Sequence, residues 1–80
     1  MMKLKKLLPH LSFLMSVQII EYNNNKEEIL FKGLVYDIPW WLAELKLDTD
    51  DNGEAISNLQ VEGMRDPVLN IYVKTEKKDI

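Results

Sequence analysis

The sequence predicts a small α+β domain, an antiparallel sheet of four to five strands carrying one or two short helices. Three observations support this. Eighty residues leave room for one core only, apolar and polar residues alternate in at least three separate runs, and two short stretches carry apolar residues at helical spacing. One layer of helix on one sheet is the simplest way to bury a core of that size; a small closed β-barrel is the alternative packing. Residues 1–74 are expected to form the single domain and residues 75–80, Thr-Glu-Lys-Lys-Asp-Ile, a flexible tail.

Leu4, Leu7, Leu8 and Leu11 stand at i, i+3, i+4 and i+7, the stripe of an amphipathic helix. Pro9 removes one backbone donor and biases Leu8 away from the helical region, so the spacing predicts a short helix over residues 3–8 and then a turn. From Phe13 the period changes to two. Phe13, Met15, Val17 and Ile19 share one parity and Gln18, Ile20 and Tyr22 the other, which predicts a strand over 16–22. Asn23-Asn24-Asn25-Lys26 is turn material, and Glu28–Tyr36 completes a hairpin, with Gly33 marking a bulge or a close backbone approach.

Asp37-Ile38-Pro39 reads as a helix start, Asp37 accepting from free amide donors and Pro39 preset for the first turn. Ile38, Trp41, Leu42 and Leu45 again follow helical spacing, so a helix over 38–44 should turn these four toward the sheet and leave Trp40 off the stripe. Leu45–Asp48 alternates as a brief strand, and Thr49–Glu54 is a loop on composition. Ile56–Glu62 and Val68–Val73, joined by the turn Gly63–Pro67, predict a second hairpin.

The chain has no cysteine, which removes disulfide staples and thiolate metal sites and fits a reducing compartment. The N-terminal lysines and leucines have some features of a secretion signal. Pro9, His10 and Ser12 break the apolar run, however, and no small-residue cleavage site follows, so the expected location is cytoplasmic. No segment approaches the roughly 20 apolar residues of a membrane span, so no membrane association is expected. The net charge is −3 and the pI near 5.0, which weighs against a binder of phosphate backbones. The charge is uneven: Lys3, Lys5 and Lys6 open the chain, Lys74, Lys77 and Lys78 close it, and Glu44, Asp48, Asp50, Asp51 and Glu54 crowd the middle.

Few residues suggest chemistry. Asp48-Thr49-Asp50-Asp51-Asn52-Gly53 matches the first half of a calcium loop, with Asp48, Asp50 and Asn52 at the alternate ligand positions. The twelfth position is Leu59 where a bidentate Glu is needed, so a solvated acidic turn is the simpler reading. His10 is the only histidine and builds neither a zinc site nor a nucleophile-activating pair. Ser12, Ser16 and Ser57 lack a nucleophile-elbow context, three glycines make no phosphate loop, and carboxylates on an exposed loop are poorly placed for a raised pKa. No enzyme activity and no cofactor are expected.

The Trp40-Trp41 pair is different. Neighbouring helical residues diverge by about 100°, so only one can sit centrally in a one-sided core. Trp41 is expected in the core and Trp40 at its edge, where a tryptophan is either a rim residue folded over the sheet or an interface anchor. Tyr22, Tyr36 and Tyr72 are read as packing residues. The chemistry therefore points to a binding or accessory protein acting through a protein–protein surface at Trp40, with self-association as its simplest form. The alternative is a nucleic-acid-binding accessory protein, should Lys3, Lys5, Lys6, Lys74, Lys77 and Lys78 converge on one face.

The run Leu30-Phe31-Lys32-Gly33-Leu34-Val35-Tyr36-Asp37-Ile38-Pro39, after a leading Lys-Leu-Lys-Lys-Leu-Leu-Pro and before Leu69-Asn70-Ile71-Tyr72-Val73, resembles small uncharacterised proteins of phages and mobile elements in Firmicutes. The likeness covers most of the chain as an order of segments and carries no diagnostic motif. It implies an accessory, host-interaction or regulatory role, inhibition of host defence systems among them. The Asp/Asn-rich stretch 48–58 is longer here than in that pattern.

Overall fold

Residues 2–23 and 25–74 are described in a computed structural model, and they form a small α+β fold. The alternating runs pair as β1 (Ser16–Asn23) and β2 (Lys26–Leu34), an antiparallel hairpin whose turn is relieved by Asn25 at φ 62°. The register shifts once, so that Ile19 faces Phe31 but Ile20 faces Ile29, and Leu30 is the inserted residue. The bulge expected near Gly33 thus lies three residues earlier. Gly33 serves the other purpose: a Cβ there would stand 3.0 Å from the Phe31 ring, so the missing side chain is the space that ring fills.

After β2 the chain crosses the core side of the sheet through a 3-10 turn at Val35–Asp37 and the helix α2 (Trp40–Ala43). It reaches β3 (Lys46–Leu47) at the far edge, then runs through β4 (Ser57–Gln60) to β5 (Val68–Lys74). The sheet order is β2-β1-β5-β3, with β4 also on β5. Both β3 and β4 pair antiparallel with the same side of β5, at Leu47↔Val73 and Ser57↔Ile71. Between them the amides of Asp48 and Tyr72 donate to Tyr72 and Ile56 carbonyls, at 2.9 and 3.2 Å. They act as one interrupted strand, and residues 49–55 are an excursion from it opposite Tyr72.

The sheet is open, not a barrel, and mixed rather than antiparallel throughout: β1 and β5 pair in parallel, Val17 to Leu69 and Ile19 to Ile71. The topology explains why. A crossover helix makes the two outer strands, β2 and β3, point the same way; each turns back through its own antiparallel partner, so the inner strands β1 and β5 also share a direction.

A four-residue helix α1 (Leu4–Leu7) and a 3-10 turn at Leu8–His10 replace the helix expected over 3–8, the tighter turn beginning as Pro9 is approached. Met2–Leu4 adds to the outer edge of β3: Leu47 N–H donates to the Met2 carbonyl and Leu4 N–H to that of Leu45, at 2.9 and 2.8 Å. Leu4 from α1, Val17, Ile19, Val35, Leu47, Ile71 and Val73 form the buried core, and Leu42 from α2 is fully buried as well. Leu7, Leu8, Leu11, Ile38 and Leu45 pack around them. The tail expected at 75–80 lies outside the described residues. No helix is long and apolar enough to cross a membrane among the described residues.

Candidate protein-interaction face

The groove that stands out is built where β1 begins and β2 ends. The hairpin's pairing continues past both strands: Val35 N–H donates to the Met15 carbonyl and Tyr36 N–H to that of Phe13, each at 3.0 Å. The two bonds fix Phe13 and Tyr36 as neighbours, yet Phe13, Leu14 and Tyr36 stay 69%, 77% and 75% exposed. Phe13 and Tyr36 line a shallow groove of about 310 Å³ with Leu8, Pro9, Val35 and the stem of Lys5. Tyr36 was read from sequence as a packing residue, as was Tyr22, which is half exposed at the hairpin's far end with its hydroxyl on Asn25 Oδ1 at 3.2 Å.

Trp40 and Trp41 follow within five residues of Tyr36. Trp40 lies in the open, 79% exposed. Trp41 corrects the sequence reading: expected in the core, it is 52% exposed, while Leu42 beside it is fully buried. The stripe drawn through Ile38, Trp41, Leu42 and Leu45 assumed one continuous helix. Ile38 and Pro39 are instead extended, at ψ 122° and 145°, and the helix proper spans only Trp40–Ala43. Helical phase cannot be carried across such a break. Pro39, not Asp37, occupies the cap position, and it offers no side-chain acceptor.

Ion pairs border this region. Glu44, which follows α2, receives Lys3 Nζ on Oε2 at 2.9 Å and Lys5 Nζ on Oε1 at 3.0 Å. The hydrogen bond from Lys3, then that from Lys5, holds the Glu44 carboxyl below its ordinary pKa of 4.5. Lys6 joins Met2, Lys3, Lys5 and His10 around an open hollow. At the other terminus, Lys74 Nζ lies 3.3 Å from Asp48 Oδ1. Lys3 pairs with Lys46 and Lys46 with Lys74 across adjacent strands, so the basic start and end do meet at one edge of the sheet. Three of the expected lysines there, Lys3, Lys5 and Lys74, are tied to carboxylates; Lys77 and Lys78 lie outside the described residues.

Asp48, Asp50 and Asn52, the positions of the partial calcium-loop match, take part in the turn's own contacts. Asp48 holds Lys74, and Asp50 Oδ1 accepts from the Asn52 and Glu54 amides at 2.8 and 3.0 Å, folding the loop on itself with Gly53 at φ 78°. Among the described residues, no group of three or more His, Asp or Glu is placed to hold a metal ion.

Of the exposed large hydrophobic residues, the sequence singled out Trp40 and missed Phe13, Leu14 and Tyr36. The available signal was position: all three lie at or beyond the ends of the alternating runs, where alternation no longer implies a buried face. Comparison with protein-family models, with curated proteins and with solved structures returned no match for this chain.

Proposed function

We propose that this chain is a non-catalytic binding or accessory protein whose working surface is the apolar face carrying Phe13, Leu14, Tyr36 and Trp40, and that the first partner of this face is a second copy of the chain. The observation that carries the reading is the exposure of these four large side chains together with Trp41 on a domain of 80 residues. Hydrophobic residues scattered singly on a surface need no explanation; here Phe13 and Tyr36 line one groove, and Trp40 and Trp41 follow four and five residues after Tyr36 in the chain. The neighbouring charges have both signs, Lys3 and Lys5 against Glu44, with Asp37 exposed nearby. A surface of mixed sign can meet its own copy about a twofold axis without net repulsion. A cytoplasmic accessory role of this kind is also what the sequence's resemblance to small proteins of phages and mobile elements would imply.

Sedimentation equilibrium of the wild type beside Tyr36→Ser and Trp40→Ala tests the reading. Mass above the 9.4 kDa monomer, rising with concentration and reduced in both variants, is the expected result; a wild type that stays monomeric at high concentration contradicts it.

The row Lys3–Lys46–Lys74 supports nucleic-acid binding as a second reading. It is the weaker one, because Glu44 and Asp48 offset much of the charge that phosphate contacts would need. Retardation of single- or double-stranded DNA or RNA at low salt, falling steeply as salt is added, would favour it over the aromatic face.

A further inference from the structure

On the opposite face of the sheet we propose a binding site for a small zwitterion of the α-amino-acid class, in the cleft between the sheet and the 61–67 loop. Register places a polar row across four strands: Lys32 of β2 against Gln18 of β1, Gln18 against Asn70 of β5, and Asn70 against Asn58 of β4. Polar residues on a solvated sheet face are ordinary. Asn70 is not, because it is more than nine-tenths buried. Its Nδ2 donates to Asn58 Oδ1 at 2.8 Å and to Gln60 Oε1 at 3.3 Å, and Gln60 Nε2 in turn donates to Glu62 Oε1 at 2.6 Å. A buried carboxamide thus orients Gln60, and Gln60 fixes a carboxylate on the wall of a cleft of about 220 Å³.

Gln18, Lys32, Gln60, Glu62, Arg65 and Asp66 line that cleft above Val68. Among the described residues no ion pair joins Lys32 or Arg65 to Glu62 or Asp66. Two cations and two carboxylates therefore share one small cleft without satisfying each other, an arrangement that complements a ligand bearing both an ammonium and a carboxylate. The volume lies below the roughly 300 Å³ at which pockets for drug-sized ligands begin, so it suits a molecule of amino-acid size.

Asn70 is not itself among the residues that line the cleft, but its Oδ1 is buried without a hydrogen-bond partner next to Gln18, which is. Such an acceptor costs about 1–3 kcal/mol and persists where something else completes it. Gln18 is registered against it and lines the cleft. A ligand ammonium taken by Gln18 Oε1 leaves the Gln18 amide N–H free to donate to Asn70 Oδ1, closing the chain Glu62–Gln60–Asn70–Gln18 around the ligand.

The test is a titration of isotope-labelled protein with L-alanine and with L-glutamine, read at the side-chain amide signals of Gln18, Gln60 and Asn70, with sodium acetate and methylammonium chloride as single-charge controls. The expected result is saturable shifts with a Kd of about 1 mM or tighter for the amino acids, weakened at least about tenfold by Arg65→Gln and by Asp66→Asn, with neither control saturating. Both substitutions are at exposed positions, and the remaining backbone spectrum reports that the fold is kept. Three results would each overturn the site: no saturable shift with either amino acid, an equal response to acetate alone, or variants that bind as the wild type does. None of them bears on the aromatic face.

Discussion

At the scale of single residues, exposure separates three neighbours that sequence spacing grouped differently. Leu42 is fully buried and Trp40 and Trp41 are not. Leu42→Ala should cost about 2–5 kcal/mol, the loss for a buried leucine with its cavity, and that is a large share of a small domain's stability. Trp40→Ala and Trp41→Ala should each cost about 1 kcal/mol or less, because neither removes a filled core position. Thermal melts of the three variants check this order; a Trp41→Ala protein as unstable as Leu42→Ala would restore the continuous helix that spacing alone suggests. Gly33→Ala is a second case, since the added methyl would meet the Phe31 ring at 3.0 Å and the ring must give way. A loss of about 1 kcal/mol, visible as a lowered melting temperature, is expected. Gly33 was conspicuous in the sequence as the one glycine inside a strand-like run; the ring that fills its space was not, because same-face neighbours depend on a register that the Leu30 bulge alters.

At the scale of elements, strands were more legible than helices. The runs at 16–22 and 68–73 differ from β1 and β5 by one residue at one end each, because a strand-like pattern over six or seven positions is a strong signal. The two helices are four residues long, about one turn, too short for a 3.6-residue period to declare itself. They rely on tertiary bonds instead: the Leu4 N–H of α1 donates to the carbonyl of Leu45, between α2 and β3, and Lys3 and Lys5 are joined to Glu44. The Glu44 carboxyl consequently has a folded pKa below its ordinary 4.5, lowered by the hydrogen bonds from Lys3 and then Lys5, which favour the charged form. Its stabilising contribution is present above the unfolded value and is lost as pH falls through the lowered folded one. The group is exposed, so the effect should be small. Melts of wild type and Glu44→Gln should differ at pH 7 and converge as pH falls through the lowered Glu44 pKa; a difference that grows on acidification would reverse the assignment.

At the scale of the whole molecule, the sheet is assembled from the outside in. Two antiparallel hairpin-like units are joined by a crossover, and their inner strands meet in parallel at Val17–Leu69 and Ile19–Ile71. Hairpins can be read locally, from turn residues between alternating runs, whereas the β1–β5 pairing joins segments some fifty residues apart and leaves no local mark. The same holds for function. Trp40 was visible as a residue out of phase, but the companion surface of Phe13, Leu14 and Tyr36 exists only because the end of β2 returns to the start of β1. Leu4 and Leu7 of α1, with Ile38 and Leu45 from either side of α2, pack against the core, while Phe13, Leu14, Tyr36 and Trp40 stay exposed. The central claim is that the bare surface binds a second copy of the chain, and sedimentation equilibrium over a range of concentrations tests it most directly. The expected result is a wild-type mass that climbs from 9.4 kDa toward twice that value and stays near the monomer in Trp40→Ala. A wild type that remains at 9.4 kDa throughout, or a Trp40→Ala protein that associates equally well, would contradict it.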